Sequence, residues 1–260
     1  MENYLFTKCC IGTGKFSKVY LSKNKNNLKK ILAVKIMDKN NLDEFNFDAA
    51  NEINIHSKLV HKNIVKFIET QKDVNKIYIF LEYAVLGNSH EYRMDNKTKF
   101  TEEFATSVIS DISLALEYIH GENIVHGDIK PENILIFEED GKKIAKLADF
   151  GWASECKEEG LTRLVGTLEF LAPEIVELKQ YKFPVDMWSL GIVFYEYINN
   201  VTPFYTSAYK GIYAKIKKCE YEIPKNVSSN SCEIISFLLV KDPEKRYTAK
   251  QLNDFLLMNL

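Results

Sequence analysis

Two short stretches hold the residue types that reactive chemistry uses. Asp128, Lys130 and Asn133 stand within His126-Gly127-Asp128-Ile129-Lys130-Pro131-Glu132-Asn133, and Asp149 opens Asp149-Phe150-Gly151, sixteen residues after Asn133. Two acids, a lysine and an amide at these spacings are the parts that phosphoryl transfer requires. They supply an orienting base for an attacking hydroxyl, oxygen ligands for a hard metal ion, and a cation on the transferred group. Chance or a structural loop rarely supplies both stretches.

Two earlier stretches become informative in that company. Ile11-Gly12-Thr13-Gly14-Lys15-Phe16-Ser17-Lys18-Val19-Tyr20 begins Gly-x-Gly and runs into β-prone residues. Glycines let backbone N–H groups approach phosphate oxygens, although the pattern alone fits an ordinary tight turn equally well. It is not a Walker-type loop, since Cys9 and Phe16 stand where that motif needs glycine and Ser or Thr. A dinucleotide fingerprint fits poorly because a strand, not a helix, follows. Leu32-Ala33-Val34-Lys35 ends a buried-looking strand on a lysine. A surface lysine is the plain alternative; paired with Glu52 on the next helix, the ammonium would be held toward α- and β-phosphates.

The elements that must position these groups are legible in the periodicity. Lys18–Ser22, Ile31–Met37, Ile64–Glu69 and Ile77–Leu81 are short β-prone runs. One helix is expected from about Asp43 to Leu59, with Phe45, Ala49, Ile53 and Ile55 near helical spacing. After Gly87 the period changes: Phe104, Val108, Ile112, Ala115, Leu116 and Ile119 mark a long amphipathic helix. Asp140-Gly141, between Ile134-Leu135-Ile136 and Ile144-Ala145-Lys146-Leu147, is a hairpin turn signal. The expectation is an α+β, bilobal single domain over 1–260: a small β-rich lobe with one main helix (1–81), a hinge (82–87) and a larger, mostly helical lobe (88–260).

The 260 residues are 46% hydrophobic and 27% charged, the mix of a folded globular protein. Net charge is −2, so no global basic field points to nucleic acid or to an anionic membrane. No stretch approaches the roughly 18 apolar residues of a spanning helix. Met1 to Cys10, with Glu2 and Lys8, lacks the apolar core of a signal peptide. A soluble intracellular protein is expected. The five cysteines contain no C-x-x-C pair and read as reduced thiols rather than a disulfide framework or a zinc site.

With Gly166-Thr167-Leu168-Glu169-Phe170-Leu171-Ala172-Pro173-Glu174, Asp186-Met187-Trp188-Ser189-Leu190-Gly191 and the late Arg246, the chain resembles the protein kinases over essentially its whole length. The resemblance implies the bilobal kinase fold, with ATP and Mg²⁺ as cofactors and proteins as substrates. Asp128 would accept the substrate hydroxyl proton, Lys130 would touch the γ-phosphate, and Asn133 with Asp149 would hold Mg²⁺. Lys35 and Glu52 would form the activating ion pair, Gly12 and Gly14 would cover the phosphates, and Arg246 would pair with Glu174. Ile11, Val19, Ala33, Leu81, Glu82, Ala84 and Leu135 would enclose adenine. Lys130 before Pro131-Glu132, and Gly166-Thr167 before Ala172-Pro173-Glu174, favour serine/threonine over tyrosine.

Leu81-Glu82-Tyr83-Ala84-Val85-Leu86-Gly87 and Asp149-Phe150-Gly151-Trp152 resemble the Aurora family, although Trp152 also reads as a packing aromatic. Polo-like and calcium/calmodulin-type kinases are the next nearest likenesses. A weakly active kinase-fold scaffold is the competing function, disfavoured because Lys35, Glu52, Asp128, Asn133 and Asp149 are all present. The Aurora likeness implies roles in mitosis and chromosome segregation and a nuclear or spindle location. A monomer is expected.

Several positions depart from the family pattern. Glu132 and Glu196 stand where similar basophilic kinases bind substrate arginines, or else form a solvated face; Asn88 replaces a third acid. Gly127 replaces an arginine, Arg163 occupies the position of the phosphorylated threonine of Aurora kinases, and Asn51 and Leu161 stand where the family has phosphate-binding arginines. With phosphate and pocket both missing, phosphorylation cannot order the loop in the usual way, although Thr162 remains an acceptor. Activity independent of activation-loop phosphorylation, or an activating protein partner at the helix bearing Glu52, is expected. Ser17 replaces the third glycine with little added bulk, and His56 reads as a satisfied core histidine.

Overall fold

The computed structural model describes residues 4–14, 16–44, 48–96 and 100–259, so Lys15 and Phe45 lie outside the described residues. Five strands, β1 (Tyr4–Thr13), β2 (Ser17–Asn24), β3 (Asn27–Asp38), β4 (Phe67–Lys72) and β5 (Lys76–Glu82), pair antiparallel in the order β1-β2-β3-β5-β4. Side chains alternate across a strand, so β5 serves both faces. Ile77 and Ile79 pack with Met37, Leu42 and Ala49, and Tyr78 and Phe80 pack with Tyr4, Leu32 and Val34 on the other side. A central strand with both faces covered reads as a continuous apolar run, which is how β5 appears in the sequence.

Three boundaries differ from expectation. β1 had no sequence signal because only Tyr4 of its ten residues is buried, and register shifts near Cys10 break any two-residue period. The run from Ile64 enters the sheet only at Phe67. Ile64 instead bridges Leu147, whose carbonyl accepts the Val65 N–H at 2.9 Å, so the strand leading to Asp149 captures this segment. The helical stretch is divided into α1 (Lys39–Glu44) and α2 (Ala49–His56). Asp48 starts α2 by accepting from Ala50 N–H at 2.9 Å and Asn51 N–H at 3.1 Å. The buried face of α2 is Ala49, Glu52, Ile55 and His56.

The second region contains α3 (Ser89–Asp95), α4 (Glu102–Gly121), the strands β6 (Ile124–Val125), β7 (Ile134–Glu139), β8 (Lys142–Leu147) and β9 (Ser154–Glu155), and then α5 (Pro173–Val176), α6 (Pro184–Asn199), α7 (Tyr209–Lys218), α8 (Ser229–Leu238) and α9 (Ala249–Asn259). Thr101 caps α4, its hydroxyl accepting from Phe104 N–H. Val108, Ile112, Ala115, Leu116 and Ile119 are buried as the period requires, with Ala105 and Ile109, while Phe104 is only partly buried. Asp140 and Gly141 turn between β7 and β8 with φ of 50° and 76°, the left-handed pair of a tight hairpin.

The core of this lobe is α6, with Trp188 fully buried. A Cβ at Gly191 would come within 2.7 Å of Leu238 Cβ, so only glycine lets α6 and α8 pack this closely. Arg246 donates to both oxygens of Glu174 at 2.7 and 3.1 Å and lies 5.1 Å from the Trp188 ring. Among the described residues, no helix is long and apolar enough to cross a membrane.

Candidate active site

A cleft of about 1200 Å³ runs between the sheet and the helical region, and every residue assigned to catalysis or cofactor contact in the sequence lines it. From above, β3 supplies Lys35. Its Nζ donates to Glu52 Oε1 at 2.6 Å and to Asp149 Oδ1 at 2.8 Å, with Lys35 and Glu52 side chains only 10% and 2% exposed. Burial works to lower the Lys35 pKa, but attraction to Asp149 and Glu52 outweighs it and holds the ammonium above its usual range. Burial likewise works against the Asp149 anion, yet Lys35 draws its carboxyl down to about 2. Glu52 is pushed up by burial, with Lys35 opposing. The result is a fixed, buried cation beside a carboxylate that faces the cleft, the Asp149 side chain being 45% exposed.

From below, the loop after β6 and the distant Thr167 place three side chains around Asp128. Lys130 Nζ lies 2.7 Å from Asp128 Oδ2, and Asn133 Nδ2 donates to the Asp128 carbonyl at 2.8 Å and to Oδ2 at 3.0 Å. The Thr167 hydroxyl donates to Asp128 Oδ1 at 3.0 Å and accepts from Lys130 at 2.9 Å. Thr167 entered the sequence reading only as part of a motif; its contact comes from a residue 39 positions away. Asn133 spends its amide nitrogen on Asp128, which leaves its carbonyl oxygen to face an incoming group.

Asp186, at the start of α6, holds this loop in place. Its carboxylate accepts from His126 N–H, Gly127 N–H and His120 Nε2–H, each at 2.9 Å. Burial alone would raise the Asp186 pKa, but His120 and the backbone donors hold it below the usual range. Gly127 sits at φ 77°, where a side chain is strained. Glycine therefore relieves strain here as well as adding freedom, a correction to reading it only as a lost arginine.

Phe150 is fully buried, with its ring centroid 4.7 Å from His56, tilted, and 5.0 Å from His126, edge-on, so three rings pack together. His56 Nε2–H donates to Val65 O at 2.7 Å, but Nδ1 is buried without a hydrogen-bond partner among the described residues, so this histidine is half satisfied. Burial lowers its pKa to about 4 and keeps it neutral.

The segment after Asp149 is tied to the rest of the chain by hydrogen bonds. Asn51 Nδ2 donates to Ala153 O at 2.9 Å, Leu161 and Tyr181 exchange backbone hydrogen bonds at 2.9 Å, and Tyr181 donates to Arg163 O at 2.9 Å. Glu196, read as a contact for substrate arginine, is engaged by the chain's own Arg93, at 2.6 Å.

A family model for the protein kinase domain matches residues 7–256. The chain belongs to the protein kinase family. It is 38% identical over 246 residues to an Aurora kinase of Yarrowia lipolytica, covering 94% of this chain and 65% of that protein. To an Aurora kinase of Schizosaccharomyces pombe it is 38% identical over 244 residues, covering 93% and 67%. A calcium/calmodulin-dependent protein kinase type 1 of Macrobrachium nipponense is 33% identical over 256 residues, covering 96% and 74%. The chain thus spans about two thirds of the length of these Aurora kinases. Its antiparallel sheet and helical lobe are the α+β kinase fold.

Proposed function

We propose that this chain transfers the γ-phosphate of ATP to serine and threonine hydroxyls of proteins, as an Aurora-type kinase. The observation that carries the reading is the convergence on one cleft of the Lys35–Glu52–Asp149 cluster and the Asp128–Lys130–Asn133–Thr167 network. Ile11, Val19, Ala33, Leu81, Ala84 and Leu135 form the apolar walls suited to adenine. Glu82 joins them through its backbone, since its carboxylate accepts from Lys66 N–H and Lys146. Gly12 and Gly14 form the lip over the phosphates, and Lys35 holds the α- and β-phosphates.

The donor set fits Mg²⁺: Asn133 offers a carbonyl oxygen and Asp149 a carboxylate that stays ionised at any working pH. When bound, the ion neutralises charge on the phosphates. Asp128 orients the attacking hydroxyl and takes its proton, and Lys130 steadies the transferred group. Because these groups come from both lobes, we read 1–260 as one domain in which 82–87 acts as the hinge. The five functional side chains favour an active enzyme over a scaffold. Radiolabelled phosphate transfer by the parent, compared with Asp128→Ala and Asp149→Ala, tests this. Losses of a hundredfold or more are expected, and equal signals in all three proteins would sink the reading.

We also propose activity without activation-loop phosphorylation, supported by the Asn51–Ala153 and Leu161–Tyr181 ties, with α2 as the surface where an activating partner would bear. A preference for arginine before the acceptor rests on Glu132, which is exposed at the cleft. Mitotic substrates and a spindle or nuclear location follow from the Aurora likeness.

A further inference from the structure

Glu196 lies in the last turn of α6, close to the residues that hold the reactive carboxylate. The acids whose charges act on it are Glu132, two positions after Lys130, and Glu169, two positions after Thr167. Lys130 and Thr167 both contact Asp128. Of the three acids, Glu132 lines the cleft and is exposed there, so a peptide that delivers a hydroxyl to Asp128 would approach beside this acidic group, which, left bare, would select basic side chains.

Glu196 is not left bare. Arg93 on α3 is 6% exposed and places Nη2 2.6 Å from Glu196 Oε1. Its Nη1 donates to Asn200 Oδ1 at 3.1 Å and to Glu196 O at 3.3 Å. Asn200 can offer that oxygen because it ends α6 in the left-handed conformation, at φ 62°. Arg93 Nε has no hydrogen-bond partner among the described residues.

We infer that Arg93 is a specificity-determining residue which fills the basic-residue subsite at Glu196 from within the chain, so that a substrate arginine meets only Glu132 and Glu169. This rests on the kinase reading above. Burial raises the Glu196 pKa, Arg93 opposes this and Glu132 adds to it, so a cation beside Glu196 favours its charged form. A cation already fixed in the fold needs no association step, whereas a substrate's arginine must give up its freedom to replace it. Without Arg93, Glu196 would be a buried acid among like charges, open to any arginine that arrives.

The test uses two peptides differing only in arginine or alanine at the residues preceding the acceptor serine, with kcat/KM measured for each. Arg93→Gln should raise the arginine-to-alanine ratio at least tenfold over the parent. Arg93→Lys, which keeps the charge, should hold the parent ratio, and Glu196→Gln in the parent should leave that ratio unmoved. A purely structural role would lower both rates together and leave the ratio alone. An unchanged ratio in a folded Arg93→Gln protein overturns the inference. So does a parent preference for arginine that Glu196→Gln abolishes, a result that decides the matter even if Arg93→Gln does not fold. A parent that phosphorylates neither peptide overturns the kinase reading as well, which distinguishes the two failures.

Discussion

Asp149 adopts the left-handed conformation at φ 61°, which costs a side chain on the order of 1 kcal/mol and persists only where the surroundings over-determine it. Here Lys35 and the Gly151 N–H hold its carboxylate. Gly127, the neighbouring left-handed position, has no such strain to bear, which is why glycine is tolerated before the reactive acid. His56 is the residue with a consequence for pH. Its folded pKa is depressed to about 4, so below the ordinary value near 6.5 the unfolded chain binds a proton that the folded chain refuses. Stability must therefore fall as pH drops from about 6.5 to about 4, by roughly 3 kcal/mol from this group. His56→Leu also removes the unpartnered Nδ1. Urea unfolding of this variant should show a flatter dependence of stability on pH between 6.5 and 4.5, and a slope equal to the parent's would contradict the assignment.

At the scale of elements, α2 and the segment after Asp149 act as a pair. α2 carries Glu52 to Lys35 and, one residue earlier, Asn51 to the carbonyl of Ala153. A neutral amide thus ties the helix that carries Glu52 to the segment after Asp149. Phosphatase treatment should leave the phosphate-transfer rate nearly unchanged, and a tenfold loss would refute the proposal. Asn51→Ala should lower kcat by about fivefold, the worth of one net hydrogen bond of about 1 kcal/mol, with ATP affinity affected less. β7 and β8 show a different kind of element, one set by local chemistry, since Asp140-Gly141 turns wherever it is placed.

For the molecule as a whole, the large lobe is pinned by Arg246. Its guanidinium joins Glu174 with no side-chain exposure, donates to the carbonyls of Pro184 and Val240, and lies over Trp188. Arg246→Met would leave Glu174 buried and unpaired, a loss of about 3–5 kcal/mol. The melting temperature should fall by on the order of 10 °C, with the remaining active fraction turning over normally at low temperature. A shift of only a degree or two would mean that water reaches Glu174 and the pair is worth little.

The sequence by itself determined the family, and its candidate site residues, Lys35, Glu52, Asp128, Lys130, Asn133 and Asp149, are recognisable by type and spacing, as α4 and the β7–β8 hairpin are by local period. Each motif spans only a few positions, where sequence patterns carry information. What only the tertiary structure decided are contacts between distant positions: Asn51 with Ala153 and Arg93 with Glu196, 102 and 103 residues apart, and Asp186 with Gly127, 59 apart. β1 and the capture of Ile64 by Leu147 belong with them, since an exposed edge strand and a single bridge leave no periodic trace. Such pairings exist only once the two lobes and their helices are packed, because a side chain's partner is set by where the chain returns and not by its neighbours in sequence.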